Sequence, residues 1–263
     1  DGLQTITGIA VFGVSEVNTT VYASGAVTVI PSISEDGFPF RFLSLISEKT
    51  TSLDFVVMNK PGAAHLIGYT HFENNVGPSL IVADTNIQLH PVYHKSENLF
   101  TLGEFTNILF VRNGSGIEHV NDLYEISSKR EIKFGHGGEG TFSHAAAVKL
   151  CEQGLRCLYV PYKSGAPGMI DLMGGTIDAF AIASYGSTHH LSNNKLKAIM
   201  LYSNTKHPKM NVPLLPNNLK KIEIKNSIMV YSRNLSEKQT KEIKKSLSSL
   251  DKDFLIESGL WVK

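Results

Sequence analysis

Four glycines fall within six residues, at Gly135, Gly137, Gly138 and Gly140, and Thr141, Ser143 and His144 follow at once. This stretch, FGHGGEGTFSH, holds the residue types in the chain that point most directly to chemistry. Glycines let a ligand approach the backbone closely. The alanine-rich run behind them reads as a helix, and the first N–H groups of a helix lack intrahelical partners and carry part of a positive charge. A small anion suits such a place. Gly138 to Ser143 should therefore offer several amides, with the hydroxyls of Thr141 and Ser143, to a group the size of a carboxylate.

Other chemistries can be weighed against that reading. Gly135, Gly137 and Gly140 satisfy G-x-G-x-x-G after a strand and before a helix, which is the dinucleotide fingerprint. The fingerprint also wants an acidic residue about 20 positions on to hold a ribose hydroxyl. The next strand ends instead in Val160-Pro161-Tyr162-Lys163. A nucleotide-dependent oxidoreductase using the Gly135–Gly140 loop stands as the alternative. No Lys-Ser/Thr pair follows the last glycine, so the loop is not a phosphate-binding P-loop. Ser143 and His144 are helix neighbours that face apart, a poor nucleophile and base. His189 and His190 are adjacent but lack metal-ligand spacing. The sequence thus predicts no catalytic residue, no metal and no cofactor.

Stepping outward from the loop, 263 residues suit two domains of about 100 residues each. The chain is 42% hydrophobic and 19% charged with net charge +1, enough apolar material for cores and too little basic excess for a nucleic-acid partner. Residues 1–23 run through an apolar stretch from Ile6 to Val14 and end in Val21-Tyr22-Ala23, small residues of the sort accepted at a secretory cleavage site. They read as a signal-peptide remnant, although Asp1 stands where basic residues are expected. Cys151 and Cys157 lie at a helix end and the following strand start, close enough for a disulfide in an exported protein. Two separate buried thiols are the other reading.

Strands are expected at Val27–Ile30, Leu53–Met58, 78–84, within 99–113, and at Ile132–Phe134, Leu158–Pro161, Ile177–Ile182 and Leu196–Leu201. Helices are expected from Phe40 to about Thr50 with Asp36 as cap, after NKPGAAHLIG, and over Val120–Arg130, Ser143–Cys151, Gly168–Gly174 and Ser236–Leu250. Alternating strands and helices imply parallel sheets with crossover helices.

Three longer stretches carry a family resemblance. FGHGGEGTFSHAAA, then VPYKSGAPGMIDLMGGTIDAF, then NKLKAIMLYSNTKHPKMNVPLL resemble the receptors of tripartite tricarboxylate transporters, the TctC-like or Bug solute-binding proteins. Tyr162, Lys163, Ala166, Pro167, Asp171, Leu172, Gly174, Gly175 and Asp178 match the family's central pattern in order, and NKPGAAHLIG matches upstream. The resemblance implies an α/β, two-lobe periplasmic-binding-protein fold, each lobe a mostly parallel sheet flanked by helices, with the ligand cleft between lobes. Lobe 1 would be residues 24–112 with 225–263, and lobe 2 residues 113–224. It also implies an exported, periplasmic, monomeric receptor that captures a small carboxylate and delivers it to membrane permease subunits. Carried over by position, ligand residues would be Ser32 and Ser34 in the first loop, Thr85 after the third strand, Gly138, Gly140, Thr141 and His144, and Ala183 at a strand end. His65 either pairs with a ligand carboxylate or caps its helix. Glu35 and Asp36 depart from the family's glycine-rich first loop and would repel a second ligand carboxylate.

Overall fold

The structure, a computed structural model, describes residues 27–31, 53, 55–57 and 66–262. Its elements in order are β1 (Val27–Pro31), β2 (Phe55–Val57), α1 (Leu66–Asn74), β3 (Ser79–Asp84), β4 (Glu97–Phe105), β5 (Asn107–Arg112), α2 (Val120–Lys129), β6 (Ile132–His136), α3 (Phe142–Cys151), β7 (Cys157–Pro161), α4 (Gly165–Gly174), β8 (Ala179–Ala183), β9 (Leu196–Leu201), β10 (Asn226–Arg233), α5 (Glu237–Ser248) and α6 (Lys252–Glu257). The expected signal segment, the Phe40–Thr50 helix and its Asp36 cap lie outside the described residues.

The strands form two sheets of five, ordered β2-β1-β3-β10-β4 and β7-β6-β8-β5-β9. In the first, β1 pairs in parallel with β2 and β3, while β10 is antiparallel to both β3 and β4. In the second, β6 pairs in parallel with β7 and β8, while β5 is antiparallel to both β8 and β9. Each sheet therefore runs four strands one way and one against. The orders superimpose if β1, β2, β3, β10 and β4 are matched with β6, β7, β8, β5 and β9. The chain is a topological duplication, a two-lobe α/β molecule.

Burial follows from this architecture. A sheet covered on both faces needs strands that are apolar throughout, and β8, Ala-Phe-Ala-Ile-Ala, is buried at every position. Its residues alternate between two cores. Ala179 and Ala181 pack with Ala146, Ala147 and Leu150 of α3, and Phe180 and Ile182 pack with Met169 and Leu172 of α4. Gly168 lets α4 approach this closely, since a Cβ there would sit 2.2 Å from the Phe180 ring. The Ser236–Gln239 capping box starts α5, which buries Ile243 and Leu247 on lobe 1. At the base of lobe 2 the structure joins Cys151 to Cys157 in a disulfide, with Cα atoms 6.1 Å apart.

Two features differ from the sequence expectation. The strand Asn107–Arg112 was expected in lobe 1, yet it hydrogen-bonds with β8 and β9, so the chain crosses between sheets at Thr106. The run NSIMVYS, assigned no element from sequence, forms β10 in the middle of the first sheet. The C-terminal segment then ties the lobes together. Glu104 of β4 and Trp261 exchange backbone bonds of 2.8 Å, the Ser184 hydroxyl donates to the Gly259 carbonyl at 2.7 Å, and His207 Nε2 meets the Leu260 carbonyl at 3.0 Å.

Candidate functional site

The glycine loop connects β6 to α3 and so stands at the C-terminal edge of the second sheet, where ligands of open α/β sheets gather. Each glycine has a different reason. A Cβ at Gly135 would collide with Ile177 at 2.5 Å and Phe180 at 2.6 Å, so this glycine serves core packing. Gly138 and Gly140 have φ of +111° and +77°, a backbone that side-chain-bearing residues rarely adopt. These two shape the loop.

The hydrogen bonds of the loop can be accounted for one by one. Thr141 caps α3, and its hydroxyl accepts from the His144 amide at 3.3 Å. The same hydroxyl donates to the Gly138 carbonyl at 2.6 Å. The Ser143 hydroxyl accepts from the Gly137 amide at 2.8 Å and lies 2.9 Å from the Thr141 hydroxyl. With Thr141 already donating, Ser143 is the donor of that pair. Both hydroxyl protons are thus spent inside the loop, contrary to the expectation that they face a ligand. Among the amides, Gly140 donates to His144 Nδ1 at 3.4 Å and Thr141 to the Gly138 carbonyl at 3.4 Å. Those of Gly138, Glu139, Phe142 and Ser143 have no partner among the described residues, and the helix ladder cannot supply one to its first turn. What remains on offer is backbone N–H at the positive end of a helix dipole.

Two further residues hold this arrangement. His144 accepts from the Gly140 amide through Nδ1. Its ring stacks on His136 at 4.5 Å, and Tyr159 stands edge-on to both. Burial pushes the His136 pKa down; contact with the Gly138 backbone opposes this, the His144 ring lowers it further and Glu139 raises it. His136, which the sequence reading passed over, is thus held neutral beneath the loop. Phe142 is the second: it opens α3, yet its ring packs against Phe105 of the other lobe at 5.4 Å. The start of α3 therefore lies against the first lobe.

Thr85 follows β3, in a turn capped by the fully buried Asp84, and its hydroxyl donates to Asn226 Oδ1 at 3.4 Å. Ala183 ends β8, is buried, and pairs with Asn107. Register brings these two near the start of α3: Asn226 pairs with Phe105, the Phe142 contact, and Asn107 lies two residues beyond it. Ser32, Ser34 and His65 lie outside the described residues. Asn107 and Asn226, which stand beside these positions, drew no expectation from the sequence. Their only signal is a single amide heading an apolar run, NILFV and NSIMV. No cluster of three or more His, Cys, Asp or Glu suited to a metal occurs among the described residues.

The profile of the family described as "Tripartite tricarboxylate transporter family receptor" matches residues 40–233. No curated protein matches the sequence. Among solved structures, the periplasmic binding protein BugD is similar at TM-score 0.76 and 20% identity, over 90% of this chain and 87% of that one. An R. palustris protein with adipate is similar at TM-score 0.79 and 17% identity, over 90% and 88%. MatC from Rhodopseudomonas palustris, with bound malate, is similar at TM-score 0.74 and 17% identity, over 90% of each chain.

Proposed function

Because the chain belongs to the tripartite tricarboxylate transporter receptor family, we propose that it captures a small carboxylate between its lobes and surrenders it unaltered to membrane permease subunits. The observation that carries this reading is the set of four unpaired amides around the start of α3, left over after both loop hydroxyls are consumed. One carboxylate would take these N–H groups in charge-assisted bonds. Gly138, Gly140 and Thr141 shape the loop, Ser143 and His144 brace it, and Thr85 and Ala183 stand on the adjoining strand ends. The adipate and malate bound to the two similar structures accord with such a ligand. Closure would turn on Thr106 and on the return from β9 to β10, the two places where the chain passes between sheets. We place the working protein outside the cytoplasm and read it as a monomer; the disulfide supports an oxidising compartment. No helix among the described residues is long and apolar enough to cross a membrane.

A receptor family leaves the oxidoreductase alternative without support. The decisive experiment follows the melting temperature against a panel of mono- and dicarboxylates and against nicotinamide cofactors. Carboxylates should stabilise the protein and the cofactors should not. Thr141→Ala and Gly140→Val should reduce the carboxylate shift. Unchanged shifts in both variants would remove the α3 start as the binding locus.

A further inference from the structure

The two passages between lobes have a front and a rear. In the second sheet the α3 loop follows β6, which is second from the β7 end. β4 and β9 occupy the opposite, matching ends of their sheets. The chain passes from β4 to β5 at Thr106 and from β9 to β10 through residues 202–225. Each passage thus links the last position of one sheet to the fourth of the other. The α3 start lies on one side of this pair of links. On the other side is a cavity of about 70 Å³. Glu104 and Thr106 line it from the first passage, Ser203, Thr205 and Lys225 from the second, and Trp261 from the C-terminal segment. Trp261 is outermost, because its backbone pairs with Glu104 on the side of β4 away from β10. From there it reaches across to the second lobe. Its ring stands edge-on to the buried His207 at 4.6 Å, and the Leu260 carbonyl beside it meets His207 Nε2 at 3.0 Å.

Resting on the receptor reading above, we infer that this rear cavity sets the affinity of the cleft: bulk placed in it, or a loosening of its walls, favours the closed receptor and tightens carboxylate binding without altering any ligand contact. Lobes that rotate about the two passages move as a lever. Bringing the α3 start toward the first lobe draws the rear edges apart. The contacts of Trp261 and Leu260 with His207 oppose that motion. The indole Nε1 favours it, since this N–H is buried without a partner and would gain water as the rear opens. A receptor whose binding-competent form is only a fraction of its population binds with an affinity reduced by that fraction. The rear contacts hold the fraction down. A side chain wedged between the rear walls crowds the open arrangement and finds room in the closed one.

Thr205 is the place to test this. It is exposed at the cavity, and it is its backbone that bonds the Ser203 hydroxyl. Thr205→Phe therefore adds a ring to the cavity and leaves the cleft untouched. Calorimetry with succinate, malate, glutarate and adipate should show about fivefold tighter binding of each acid that the wild-type protein takes, with their order of affinity unchanged. Trp261→Ala removes a rear wall. It should tighten binding about threefold while lowering the melting temperature of the unliganded protein. Trp261 is the one tryptophan of the chain, so wild-type emission should move to longer wavelength on saturation with the same acids, as the indole meets water. Unchanged or weaker binding in both variants, or an emission that does not move, overturns the rear lever while the receptor reading stands. If Thr205→Phe does not fold, Trp261→Ala and the wild-type emission decide between the same outcomes. Failure of all four acids to bind the wild-type protein overturns both readings.

Discussion

The two lobes share one topology and spend it differently at the same edge. In lobe 2, β6 runs into a loop with two positive-φ glycines and then into the start of α3, which leaves amides unpaired. In lobe 1, β3 runs into a short turn whose cap is Asp84, a buried carboxyl group that already takes the local amide and a tyrosine hydroxyl. One edge offers backbone N–H groups at the positive end of a helix dipole; the other carries a buried carboxyl group beside the side-chain amides of Asn86 and Asn226. The first edge suits an anion. A duplicated fold thus yields two strand-end edges of unlike chemistry.

The sharpest way to break this contrast is to close the lobe 2 edge. Gly138→Val forces a side chain into φ of +111° and should weaken binding of any carboxylate by about a hundredfold or more, from strain of roughly 3 kcal/mol in the loop that presents the amides. Isothermal calorimetry would measure it. Retained affinity would mean that the charge is held elsewhere.

A smaller effect should separate stability from binding within lobe 2. The Cys151–Cys157 bridge sits at the far end of α3, about 15 Å along the helix from the loop. Replacing both cysteines with alanine should cost about 2 kcal/mol of stability, from the short loop the bridge closes. Melting curves should show a drop of several degrees, with carboxylate affinity unchanged. An affinity loss would show that the loop depends on strain transmitted down the helix.

The least effect comes from protons. Burial lowers the pKa of His136 beneath the loop and of His207 beneath the C-terminal segment. The folded chain then binds fewer protons at these sites than the unfolded chain, so their contribution is complete above the ordinary histidine value of 6.5. It is lost as pH falls from there through the folded values. Denaturant midpoints should decline over this window. His136→Gln should flatten the decline and His207→Gln should flatten it separately. A flat profile in the wild-type protein would place both rings in contact with water.

Much of this was legible in sequence for a simple reason. The glycine loop, Ser236 as a cap and the helix over 143–151 are all decided within four or five residues. Spacing reports such interactions directly. Other features were not legible. NSIMVYS reads as an apolar run without an address, and only its pairing with β3 and β4, more than 100 residues away in sequence, makes it a central strand. The stretch 99–113 reads as strands leading to a boundary at 112, and only the bonds of Asn107–Arg112 to β8 and β9 move that boundary back to Thr106. Ser143 reads as a ligand donor until its hydroxyl is found to accept from the Gly137 amide and to donate to the Thr141 hydroxyl.

By itself the sequence determined the alternation of strands and helices, the glycine loop that opens a helix, and the family. Those depend on backbone preference and on patterns a few residues long. Only the tertiary structure decided which strands are neighbours, that the two lobes repeat one plan, and that the side-chain nitrogens of Asn107 and Asn226 are buried without partners among the described residues. The physical reason is burial. Whether a polar group is satisfied depends on everything packed around it, and that neighbourhood is assembled from parts of the chain that do not know of one another until it folds.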